Sequence, residues 1–282
     1  MAVRWALYKR FPLETDLSDV NAFLLGQGHA HIFTEESGQQ LLWVSDSVDI
    51  ATLDDFFARY FRGEFHLRRS ENMNVLRRPE FSELILASPL TCIFIFLGFL
   101  GYLMGDAFKH LAFFQFFSFL PFTVIADNYE IWRLITPAFL HFSVPHFLMN
   151  SLWMYLLGKK LEVRLGAVHY VSLFLLSALG GNILQYMVSG SIYFGGLSGV
   201  VYGYVGFFTI SMYYRKDPLL SIAPGIIGMS VVALLLGFMG ALDWMTSGGI
   251  ANWAHLGGFF AGATYALYYY LNQQNTSDTS TQ

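Results

Sequence analysis

Between residues 83 and 271 the chain is a succession of six apolar runs, at 83–105, 146–166, 167–189, 198–214, 221–242 and 251–271, each of roughly bilayer-crossing length. One soluble core cannot absorb that much apolar surface. Hydrophobic residues make up 55% of the chain, charged residues 13%, and the mean hydropathy is +0.46. The expected fold class is an all-α polytopic membrane protein, a six-transmembrane-helix bundle carrying a small α/β cytoplasmic N-terminal domain.

Lysine and arginine set the orientation of the runs. Nine lie before residue 81, Lys159, Lys160 and Arg164 fall between the second and third runs, and Arg215 and Lys216 between the fourth and fifth. By the positive-inside rule these ends are cytoplasmic, and so are both termini. The stretch "AFKHLAFFQFFSFLPF" resembles a seventh span, but Lys109, His110 and Pro121 interrupt it. Counting it would invert every later helix, so it reads as an amphipathic element at the outer interface.

Residues 1–65 alternate strand-like "VRWALYKRF", helical "DLSDVNAFLLGQG", strand-like "AHIFTEE" and "QLLWVSD", and helical "DIATLDDFFARYF", the pattern of an accessory α/β domain. A basic linker at 66–82, suited to anionic headgroups, joins it to the 83–271 bundle, and 272–282 reads as a disordered polar tail. The N-terminus lacks the apolar core and cleavage site of a signal peptide and is expected to stay on the mature protein. Acidic residues gather in the first eighty positions, and no nucleic-acid partner is suggested. The single cysteine, Cys92, gives neither a disulfide framework nor a thiol–histidine pair, and no cofactor or metal is expected.

With six spans and a cytoplasmic N-terminus, the second, fourth and sixth helices start at the same face. Their first turns carry His146 and Asn150, Ser198, and His255. Polar groups inside a bilayer are costly and face the bundle interior or a cavity, so a cluster at one depth marks a candidate site. Each member also has a plain packing explanation. "GLSG" is consistent with small-residue helix contact, with Gly199/Gly203 and Gly258/Gly262 as GxxxG pairs, Asn150 with interhelical hydrogen bonding, and Tyr202 with an aromatic core. Together they hold the parts of acyl transfer. A serine hydroxyl needs a base, which a neutral imidazole supplies, and the oxyanion needs donors such as the Ser198 N–H, the Asn150 amide and the His146 ring. No carboxylate is placed to orient His255, so the pattern is a Ser–His dyad, with Tyr202 one turn beyond Ser198 able to stack on the imidazole. Two other classes fit the same runs: a non-catalytic protein that escorts membrane helices, and a small transporter built on Gly-broken helices. Both Ser198 and His255 being present argues against the first. The shortage of acidic residues within the spans argues against the second.

The segments "GGLSGVVYG", "LHFSVPHFLMNSLW", "ANWAHLGG" and "EIWRLITPAFLH" together resemble the motifs of the rhomboid intramembrane serine proteases, in the bacterial six-helix form with a cytosolic N-terminal domain. The resemblance covers about residues 83–271. It implies Ser198 as nucleophile, His255 as base, an oxyanion hole of His146, Asn150 and the Ser198 and Leu197 amides, and Tyr202 packed on His255. Trp132, Arg133 and His141 match structural positions of the family. It further implies a bacterial inner-membrane protein whose partners are the lipid bilayer and transmembrane segments of membrane-protein substrates. The loop "WMTSGGIANWAH" departs from the pattern, with Ile250 and two glycines where the better-known bacterial members carry methionines, and a bulky Trp253.

Overall fold

The computed structural model describes residues 5–27, 29–36, 38–45, 48–62, 88–214, 220, 222–245 and 249–279. The segment read as a basic linker and the pair Arg215 and Lys216 lie outside the described residues. The chain divides into two compact units, Met1–Arg78 and Pro79–Gln282.

In the first unit, β1 (Trp5–Pro12), α1 (Ser18–Gly26), β2 (His31–Glu36), β3 (Gln39–Ser45) and α2 (Ile50–Phe61) follow one another along the chain. The sheet order is β1-β3-β2, with both pairs antiparallel. Leu53, Phe56 and Phe57 fall at helical spacing on one face of α2, and that face packs with Phe11, Val20, Leu24, Leu42 and Val44 into the unit's core. Asp49 starts α2 as its N-cap, accepting the Ala51 N–H at 3.1 Å and the Thr52 hydroxyl at 2.7 Å.

The second unit is helical. Helix α3 (Pro89–Tyr102) runs on into a π-helical turn at Leu103–Ala107, followed by the short α4 (Leu111–Phe117) and α5 (Phe122–Asp127) and by 3-10 turns at Ile131–Leu134 and Thr136–Phe139. Then come α6 (Val144–Ser189), α7 (Ser198–Tyr214), α8 (Pro224–Phe238) and α9 (Asn252–Thr279). Among the described residues two helices are long and apolar enough to cross a membrane by themselves, Pro89–Ala107 and Val144–Ser189. The six-run count is therefore not met run for run. The second and third runs follow each other directly, separated only by a kink at Gly166, whose φ of 75° and ψ of 168° are essentially restricted to glycine, and α7 and α8 are only 17 and 15 residues long. The stretch set aside as a seventh span forms no long helix; its helical part, α4, has seven residues. At the other end, α9 continues to Thr279, so the backbone of 272–279, expected as a disordered tail, is helical.

Two polar anchors hold the start of this unit. The buried Glu162 carboxylate accepts the Leu90 and Thr91 amides, each at 2.8 Å, and the Thr91 hydroxyl at 2.7 Å, satisfying first-turn donors of α3. Arg133, also buried, pairs with Glu130 at 2.7 Å and donates to the Gln115 and Ser118 carbonyls at the end of α4, while the Trp132 indole N–H donates to Phe116 O at 3.2 Å. The Trp132–Arg133 pair thus ties the 111–118 element to the turns that precede α6.

Helix α9 is pressed between α7 and the second half of α6. A Cβ on Gly258 would overlap the Gly199 carbonyl, and one on Gly262 would overlap the Gly203 carbonyl. On its other side, a Cβ on Gly180 would come within 2.9 Å of the Ala261 Cβ. Backbone meets backbone along both seams, an approach only small residues permit.

Candidate active site

The site is built at the N-terminal ends of three helices. Before α7, Gly195 and Gly196 thread against the 136–140 turn, with the Gly196 N–H donating to Pro137 O at 3.0 Å. Gly196 has φ of 117°, and a Cβ there would lie 2.7 Å from His146 Nε2 and 3.2 Å from Asn150 Nδ2. Glycine is required both for the backbone conformation and for the approach of those two side chains. His146 and Asn150 are therefore gathered, from the first two turns of α6, against the backbone two residues before Ser198. Leu197 is fully buried and its carbonyl accepts the Val201 N–H, closing the first turn of α7.

Ser198 begins α7, and its Oγ lies 2.8 Å from Nε2 of His255, in the first turn of α9. The Tyr202 ring stacks on the imidazole, with centroids 4.4 Å apart and planes 13° from parallel. Among the described residues His255 Nδ1, His146 Nδ1 and Asn150 Nδ2 are buried with no hydrogen-bond partner in the protein. In the tautomer protonated at Nδ1, His255 presents a free lone pair at Nε2 to the serine hydroxyl. These groups line a cavity of about 350 Å³ whose remaining wall is mostly apolar, including Trp153 from α6 and Met229 and Leu236 from α8. The first-turn amides of α7 have no acceptor within their own helix.

Ser198, His255, Tyr202, His146 and Asn150 line one cavity. Leu197 is buried next to Ser198 in the chain, and the four glycines pair as 199 with 258 and 203 with 262 along the helix seam. His141 stands behind the site, its Nδ1 3.1 Å from Phe139 O and its ring 5.1 Å from that of His146. Asp243 does not approach His255; it accepts the Ile250 N–H at 3.2 Å in the preceding loop. Two contacts escaped the sequence. The Tyr202 hydroxyl donates to Ser230 O on α8 at 2.8 Å, and Gln185 Oε1 accepts the Ala254 N–H at 3.1 Å. A lone glutamine inside an apolar run was the available signal for the second, since a buried amide needs a partner.

The family model described as "Rhomboid domain" matches residues 128–272, and that described as "Rhomboid N-terminal domain" matches residues 3–71. Proteins named "Rhomboid protease GlpG" are similar to this chain. The one from Salmonella typhi is 38% identical over 148 residues, and those from Salmonella newport (strain SL254) and Salmonella enteritidis PT4 (strain P125109) are each 37% identical over the same length. Each match covers 51% of this chain and 51% of the relative, so it spans about half the length of those proteins.

Proposed function

The chain belongs to the rhomboid family, and from that premise we propose that it is an intramembrane serine endopeptidase cutting peptide bonds in or near transmembrane segments of other membrane proteins. The observation that carries the reading is the 2.8 Å contact between Ser198 Oγ and His255 Nε2. His255 takes the hydroxyl proton as Oγ attacks the scissile carbonyl, forming a tetrahedral intermediate. The developing oxyanion is met by the Asn150 amide, the His146 ring and the Ser198 and Leu197 N–H groups. As the C–N bond breaks, His255 returns the proton to the leaving amine, leaving an acyl-enzyme. Water, activated by the same imidazole, then releases the acyl group. Tyr202 holds the ring plane in the role a carboxylate fills in triads.

The reading includes a topology: six spans in a bacterial inner membrane, both termini cytoplasmic, and α7 short enough, at ~26 Å, to hold Ser198 below the outer surface. Substrate helices must unwind locally to present a carbonyl, because a continuous helix satisfies its own backbone. The test is labelling of the purified protein by a serine-directed fluorophosphonate, together with cleavage of a transmembrane substrate. Wild type is expected to do both, and Ser198→Ala and His255→Ala neither while remaining folded, since a dyad acts as a unit. Labelling that persists in Ser198→Ala would remove the serine from the reaction.

A further inference from the structure

The imidazole of His255 has no hydrogen-bond partner at Nδ1 among the described residues, so its position depends heavily on the backbone that carries it. That backbone is held one residue earlier. The Ala254 N–H, besides reaching Ala251 O at 3.0 Å, donates to Gln185 Oε1 at 3.1 Å, a buried bond from α6 that joins residues 69 positions apart. First-turn amides have no acceptor four residues back, so an outside acceptor decides how such a turn sits. Gln185 is only 7% exposed, and its own amide is steadied by the Ser189 hydroxyl, 3.3 Å from Nε2.

The carbonyl of the same residue is enclosed as well. A Cβ on Gly181 of α6 would come within 2.8 Å of Ala254 O, and one on Gly199 of α7 within 3.2 Å. Gly199 follows Ser198, and Ala254 precedes His255. The neighbours of both reacting residues thus meet at Ala254, with Gln185 on its amide and Gly181 against its carbonyl.

Resting on the protease reading above, we propose that Gln185 is a positioning residue that sets the height and rotation of the first turn of α9, and through it the place of His255 Nε2 relative to Ser198 Oγ. Gln185 bonds within its own helix only through Nε2, while its Oε1 reaches across to the residue beside the histidine. Proton transfer tolerates little misplacement, since a shift of ~1 Å costs about 10²-fold in rate.

The test uses the intact purified protein and a fluorophosphonate, reading the second-order labelling constant per reactive site and, separately, the thermal midpoint. Gln185→Met is close in shape and lacks the oxygen acceptor, and its constant should fall about tenfold or more, whereas Gln185→Glu keeps an acceptor and should stay within about threefold of wild type. A merely structural role would lower the midpoint and the number of reactive sites and leave the constant per site unchanged. A wild-type constant in Gln185→Met, or a Glu variant as slow as the Met variant, would overturn the proposal. If Gln185→Met does not accumulate folded, Gly181→Ala presses on the carbonyl of the same residue, Ala254, independently; it should also slow labelling, and a wild-type constant there would equally overturn the idea. Wild-type protein that does not label at all would instead sink the protease reading.

Discussion

Asn150 shows what a single residue in this site has to offer. Its side-chain nitrogen is buried, faces Gly196 and has no partner among the described residues, a costly arrangement unless the donor is held for something that arrives. Asn150→Ala is expected to lower kcat by roughly 10²–10³-fold, about 2.7–4 kcal/mol, with KM little changed, because in the proposed mechanism the bond it loses is made mainly to developing charge. His146 lies one turn away against the same glycine, so the two single variants can be milder than their pair. Turnover of one transmembrane substrate by both singles and the double is the measurement, and an unchanged kcat in the double would leave only backbone donors. Gly196→Ala should be inactive, since it strains a φ of 117° and sets a methyl against the His146 ring. Wild-type turnover in Gly196→Ala would contradict the described approach.

Among the elements, the α7–α9 seam decides whether serine and histidine meet at all. Gly258 and Gly262 face the carbonyls of Gly199 and Gly203, and neither side has a flexible side chain to yield. Gly258→Val should therefore cost at least about 1–3 kcal/mol through overpacking and lower the fluorophosphonate labelling constant along with the thermal midpoint. Loss of stability with unimpaired labelling per site would mean that the seam does not govern the dyad. In the N-terminal unit, α2 depends on its cap. The Thr52 hydroxyl first, and the Ala51 amide second, hold the Asp49 carboxyl below the ordinary carboxylate range. A pKa lowered by folding gives stability that is present above the unfolded-state value and lost as pH falls through the folded one. Amide-exchange protection of α2 should thus exceed that of Asp49→Asn near neutrality and converge with it in acid. A difference that does not change with pH would refute the charge-assisted cap.

At the scale of the whole molecule, the proposed orientation can be read with an impermeant thiol reagent on a Cys92→Ala background. A cysteine at Ser191 should react in intact cells, and one at Lys159 only after permeabilisation; the reverse pattern would invert the assignment and dissolve the common depth of the site. Much of this organisation was legible in the chain itself. The five elements of the N-terminal unit lie where alternation and helical spacing put them, because such patterns arise from neighbours in sequence. The break between the second and third runs falls at Gly166, the boundary their composition marks. The candidate residues Ser198, His255, His146 and Asn150 were recognisable as polar groups at the starts of apolar runs. Other features had no local signature. The helical backbone of 272–279, the Tyr202 hydroxyl on Ser230 O and the Gln185 acceptor under Ala254 all emerge only when helices are docked. Which stretches are apolar, where they end and which side chains can do acyl-transfer chemistry are already set by residue order, since these depend on composition and short-range spacing. That Ser198 and His255 stand 2.8 Å apart across 57 positions follows from helix docking alone, because that distance depends on the height and rotation of α9 between two glycine seams.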